Sequence, residues 1–166
     1  MRGRIGGWAV AAFVGSMLLV GCEGGEPLEP AKPIHPPAGA QILAEDITPQ
    51  WILGECRTKT GEVNEDAFKY YKHAWVSDRG WEGEVTWKEQ DGPNTVFAIK
   101  IEDPRVPDQI FVRCEMPGEH PDLHMNGFAR VKGRVVQLQY PAQAMQGGLR
   151  VYLDNVTLLR GYKTGG

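Results

Sequence analysis

Three groups of side chains in this 166-residue chain have the chemistry to bind or react. The first is cationic and aromatic. Arg130, Lys132 and Arg134 alternate with apolar residues along one stretch, and Lys100, Phe111 and Arg113 lie on two others. Guanidinium and ammonium groups beside an aromatic face suit an anionic ligand that carries rings. The acids interspersed with them (Glu82, Glu84, Glu102, Glu115) fit a solvated face of mixed charge instead. Tyr140, with Met145 in the glycine-containing stretch 139–148, marks a candidate contact loop. The second group is histidine. His120 and His124 stand four apart near Glu119 and Asp122, a spacing that clamps a metal on a helix. Pro121 fits only a helix start, so a polar surface loop and no metal are expected. The third group is cysteine, at 22, 56 and 114, with no Cys-x-x-Cys pair for redox work. There is no Gly-x-Ser-x-Gly, no phosphate-cradling glycine loop and no His-Glu-x-x-His. No catalytic residue and no cofactor are expected.

The context of Cys22 is more informative than the cysteine itself. Arg2 and Arg4 give a positive start, and Trp8 to Val20 is an uncharged, mostly apolar run of 13 residues. That is too short for a helix across the ~30 Å hydrocarbon core, which takes ~20 residues, and it fits a secretory leader. Leu19-Val20-Gly21-Cys22 resembles the lipobox of bacterial lipoproteins. The resemblance implies diacylglyceryl transfer to the Cys22 thiol, cleavage before it, and a membrane anchor. Glu23 in place of Asp, by the enteric sorting pattern, implies the outer membrane, facing the periplasm. Export leaves Cys56 and Cys114 in an oxidising compartment, where a structural disulfide is expected. Closing a loop of about 58 residues stabilises by roughly 4 kcal/mol in the chain-entropy model. Two separate buried thiols are the alternative.

Residues 22–47 follow as a lipidated cysteine and spacer. Five of the chain's 12 prolines fall there (Pro27, Pro30, Pro33, Pro36, Pro37). Proline lacks an N–H and fixes φ, so strand ladders are not expected in this stretch. At ~3.1 Å per residue a polyproline II course reaches up to ~75 Å. Losing Arg2 and Arg4 with the leader takes the formal net charge from −3 to −5, and most of that sits on the spacer acids. The remainder is close to neutral, which excludes a globally basic field for nucleic acid.

The candidate residues need elements to position them. Thr48-Pro49 is a cap followed by proline at the first helical position. Asn64-Glu65-Asp66 starts a second helix, expected over roughly 65–77, with Ala67, Tyr70, Tyr71, Ala74 and Trp75 on one face. From Trp81 the period becomes two. Trp81, Gly83, Val85 and Trp87 point one way, then Phe97, Ile99 and Ile101, then Ile110, Val112 and Cys114, then Val131, Gly133 and Val135, then Leu149, Val151 and Leu153. Val156 and Leu158 have the opposite parity, which places a bulge at Asp154-Asn155. Five such strands bury their apolar face by curling into a barrel. The expected fold is therefore mainly β, a five-stranded OB-fold-like Greek-key barrel over 48–163, preceded by an amphipathic α-helix.

Two stretches carry a resemblance: Val131-Lys132-Gly133-Arg134-Val135 and Leu153-Asp154-Asn155-Val156-Thr157-Leu158-Leu159. With the helix before the first strand, they resemble the tRNA-anti-like and bacterial OB-fold envelope proteins. The resemblance implies a barrel that binds through the face of strands two and three and the flanking loops, with no shared catalytic motif. The expected function is a lipid-anchored envelope protein with a non-catalytic binding or interaction module. Its expected partners are the membrane and an envelope protein or anionic glycan. An oligosaccharide- or single-stranded nucleic-acid-binding OB protein is the alternative, although an exported chain meets little nucleic acid.

Overall fold

The computed structural model describes residues 34–57, 64–102, 104, 109–140 and 148–163. The leader, residues 22–33 of the spacer with Cys22 among them, and Met145 lie outside the described residues.

Two short helices precede the sheet. In α1 (Pro49–Cys56), the Thr48 side chain accepts the Trp51 N–H at 3.2 Å, and Pro49 opens the first turn where its missing N–H costs nothing. The helix runs through Gly54 and buries Ile52, Leu53 and Cys56. In α2 (Glu65–Tyr71), Asn64 caps by accepting the Ala67 N–H at 3.4 Å, with Glu65 and Asp66 in the first turn. The helix stops six residues short of its expected end. His73 adopts a φ of 73°, and Ala74 to Val76 run extended. Val135 N donates to Ala74 O at 2.8 Å and Val76 N to Gly133 O at 2.9 Å. A free strand edge thus outcompetes another turn of helix and buries Ala74 and Trp75 by pairing.

The same edge extends once more. Leu43 N donates to Trp75 O and Trp75 N to Gln41 O, both at 2.8 Å, and Leu43 joins the core. A ladder this early was not expected, but after Pro37 every residue here has an N–H to give.

The strands are β1 (Trp81–Asp91), β2 (Asn94–Ile101), β3 (Gln109–Pro117), β4 (Phe128–Gln139) and β5 (Gly148–Tyr162). They close into a barrel in the order β1-β2-β3-β5-β4. Every pairing is antiparallel except β3 with β5. The expected five-stranded, OB-fold-like barrel is present. Its interior holds Val85, Phe97, Ile99, Ile110, Val112, Val131, Val135, Leu149 and Val151, all at 0–1% exposure. Each contributes on the order of 1.5–3 kcal/mol relative to exposure. Gly83 and Gly133 permit the tight coil: a Cβ on them would lie 2.5 Å from Lys100 O and 2.8 Å from Asp154 O. The expected break in β5 is a bend at Asn155, with φ 50°, after which Val156 is buried.

One expectation is corrected. Cys56 and Cys114 are free thiols, both 0% exposed, and no disulfide joins them. Cys114 stands in the barrel wall between Phe97 of β2 and Leu153 of β5. Cys56 ends α1 beside Glu55. Each fills its niche as a small hydrophobe. Burial pushes the Cys56 thiol up to about 12, with the Glu55 charge adding, and burial also raises the Cys114 thiol.

Candidate functional site

The sequence marked seven residues for binding, and the barrel sorts them into three environments. Arg130, Lys132 and Arg134 alternate outward along β4, as their parity requires. Each already holds an acid. Arg130 Nε donates to Glu82 at 2.9 Å on the facing residue of β1, and Lys132 donates to Asp78 at 2.6 Å. Arg134 grips Asp154 on the facing residue of β5 with two nitrogens. The Lys132 ammonium holds the Asp78 carboxyl below its usual range, and the Asp154 hydrogen bond raises the Arg134 guanidinium. Tyr162 adds to this seam, donating to Glu82 at 3.1 Å and stacking on Phe128 with centroids 5.7 Å apart. This cation row ties β1, β4 and β5 together.

Lys100 and Tyr140 are also engaged. Lys100 donates to Glu102 at 2.7 Å, which raises its pKa, and faces Glu84 across the β1–β2 pair. Tyr140 packs against the hydrophobic core. The remaining two, Phe111 and Arg113, lie in a different setting. They line a shallow groove of ≈ 610 Å³ on the outer wall, together with Trp87, Arg150 and Tyr152.

Register explains how these five meet. Trp87 faces Ala98, Ala98 faces Arg113, and Arg113 faces Tyr152, in one row over β1, β2, β3 and β5. Four strands at ~4.8 Å spacing make that row roughly 15 Å wide. Phe111 faces Arg150 in the next row. The small Ala98 leaves the middle low, and the Arg113 guanidinium lies 6.0 Å from the Trp87 ring centroid. Among the described residues neither Arg113 nor Arg150 makes an ion pair. Among the described residues Glu89 is the one acid lining the groove.

Trp87 is where parity misleads. Alternation from Trp81 puts it inside, but a register shift between Val85 and Trp87 inserts an extra residue. Thr86 and Trp87 therefore both line the outer groove, and Trp87 is 38% exposed. Lys88 turns the other way. It is half-buried opposite Phe97, and its ammonium donates at 3.0 Å to both His120 O and Leu123 O. One bulge thus exposes an aromatic face and pins the 118–127 loop. In that loop a His120 ring nitrogen lies 3.0 Å from Pro117 O. Among the described residues no three His, Cys, Asp or Glu side chains converge for a metal.

Arg150 and Tyr152 were missed although legible. They alternate with the buried Leu149, Val151 and Leu153, so they point outward. Once β5 is laid parallel to β3, they must fall beside Phe111 and Arg113.

The groove's residue types define its chemistry. Three aromatic faces offer stacking surface, and two guanidinium forks offer planar arrays of donors. Side chains of these types have the chemistry to take an extended, anionic, ring-bearing chain.

No protein-family model matches the chain, and no curated protein matches it. Among solved structures it is similar to a "putative nucleic acid-binding lipoprotein from Klebsiella pneumoniae subsp. pneumoniae MGH 78578". The identity is 15%, the match covers 74% of this chain and 94% of that one, and the TM-score is 0.39, a likeness too loose to transfer a ligand.

Proposed function

We propose that the chain is an exported, lipid-anchored envelope protein whose barrel holds an anionic oligosaccharide and carries out no catalysis. The observation that carries the reading is the outward Trp87 beneath the Arg113 guanidinium, with Phe111, Arg150 and Tyr152 in the same groove. Sugar rings stack on aromatic faces, and carboxylate or sulfate groups take guanidinium forks. The charged leader, its short apolar run and Leu19-Val20-Gly21-Cys22 support the anchor, with Cys22 acylated and Glu23 favouring the outer membrane, facing the periplasm. Mass spectrometry of the native protein tests this half: an unmodified Cys22 removes the anchor.

The same three aromatic faces favour a second reading, single-stranded nucleic acid, since every base has a face to stack. Heparin and a thymidine oligomer separate the two. The expected result is saturable, salt-weakened binding to heparin that falls at least about 30-fold, or roughly 2 kcal/mol, in the Trp87→Ala/Arg113→Ala variant. Binding of the thymidine oligomer alone supports the second reading. No binding of either at low salt overturns both.

A further inference from the structure

We propose that the open edge of residues 41 to 44, on the side turned away from Trp75, is a strand-addition site for an extended, basic peptide segment of another protein. The parallel bridge to Trp75 uses Gln41 O and Leu43 N, so the N–H and C=O of Ile42 point away from it. Among the described residues neither group has a backbone partner. An exposed edge with a free donor and acceptor recruits extended backbone.

Beside this edge, between it and the two helices, lies a cleft of ≈ 840 Å³. Its rim carries three of the most exposed large apolar side chains: Ile42 at 58%, Trp51 at 52% and Tyr70 at 61%. These suit alternate apolar side chains of an added strand, which project on one face every second residue. The charge pattern sets the rest of the occupant's chemistry. Among the described residues Glu55 is the one charged residue lining the cleft. Its carboxylate accepts the Trp51 indole N–H at 2.9 Å and the Tyr71 hydroxyl, so two neutral donors orient it. Tyr70 stands edge-on to Tyr71, with centroids 5.1 Å apart. A carboxylate held among Trp51, Tyr70 and Tyr71 matches a lysine or arginine head. Exposed Glu45, Asp46 and Glu65 flank the cleft-lining residues in sequence and outnumber the neighbouring Lys72, while Lys69 is paired with Asp66 at 3.2 Å. These three acids repel an anionic bilayer and favour a basic segment.

The site is separate from the barrel groove, and its test does not depend on it. The probe is a fluorescein-labelled Lys-Val-Lys-Val-Lys-Val peptide titrated into the full chain and followed by anisotropy. The expected result is saturable binding, weakened at least tenfold by Glu55→Gln. A Trp51→Ala/Tyr70→Ala variant, altered only at exposed rings, weakens it similarly while near-ultraviolet circular dichroism stays native. Trp87→Ala/Arg113→Ala leaves it unchanged. N-methylation of alternate peptide amides abolishes it, because pairing needs those N–H groups. Undiminished binding of the methylated peptide, equal binding of the Glu-for-Lys peptide, or no saturable binding overturns the proposal. So does retention on phosphatidylglycerol vesicles, or a concentration-dependent dimer, that the Trp51→Ala/Tyr70→Ala change removes. Those outcomes assign the surface to the bilayer or to a second copy.

Discussion

The outer wall of the barrel carries two rows of arginine and lysine that look alike in sequence and differ in place. Along β4, Arg130, Lys132 and Arg134 each meet an acid. On β3 and β5, Arg113 and Arg150 meet none among the described residues and sit with Trp87, Phe111 and Tyr152 instead. The difference lies in what faces each cation across the ladder. Arg130 faces Glu82 and Arg134 faces Asp154, while Arg113 faces Ala98 and Tyr152. Opposite charges on facing residues neutralise each other and stabilise the sheet. A small or aromatic neighbour leaves the cation available to a ligand. The density of basic residues is therefore a poor guide to a binding face, and their cross-strand neighbours are a better one.

The comparison breaks most sharply if the bulge is removed. Deleting Trp87 closes the bulge and takes the ring with it: Thr86 then faces Ala98, while Lys88 stays inward opposite Phe97. The expected result is a loss of heparin affinity of roughly tenfold or more, with hydrogen-exchange protection of 118–127 unchanged. Full binding by this variant defeats the argument that the bulge supplies the groove's ring. Lys88→Met keeps the side-chain stem but loses both carbonyl bonds of the ammonium. A loss of about 1–3 kcal/mol is expected, with faster hydrogen exchange in 118–127. The groove residues stay in place, so heparin binding persists.

Arg134→Ala has a smaller effect and sharpens the contrast from the other side. A partly exposed pair contributes at most ~1 kcal/mol, so the melting temperature falls slightly while groove affinity changes less than about twofold. A large loss of affinity places ligand contacts on β4 after all. The smallest effect is in acid. The Asp78 pKa is lowered chiefly by its hydrogen bond from Lys132. Its pair with Lys132 therefore adds stability that is complete above the ordinary carboxylate range and is lost as pH falls through the lowered value. Thermal melts of the native protein and of Lys132→Ala converge at acid pH. Divergence there contradicts the assignment.

Much of the barrel was legible because a small closed sheet has one wet face and one dry one. Phe97, Ile99, Val112, Val131 and Val151 had to alternate with polar neighbours for the wall to close. The cap at Asn64 and the break at Asn155 were legible for local reasons, since each depends on residues within a turn. The end of α2 was not, because Ala74 and Trp75 fit a helical face equally well. What decided between them was a β4 edge some sixty residues away in sequence. The ion pairs were hidden for the same reason. Nothing near Arg130 in the chain names Glu82 as its partner. Trp87 was misplaced because a bulge inverts parity without leaving a mark in the residue types. Phe111 and Arg113 were marked from their residue types, and Arg150 and Tyr152 fall beside them once the parallel β3–β5 neighbourhood is known.

That parallel contact also governs how the molecule comes into being. β5 is the last strand, yet it is the stave that joins β3 to β4. Until it arrives, both neighbours present raw edges to whatever other polypeptide is nearby. High contact order of this kind slows acquisition of the native state and lengthens exposure to chaperones and proteases. Chains therefore close their barrel only after β5 is released, and a nonsense codon between residues 140 and 148 leaves four strands as an open sheet rather than a smaller barrel.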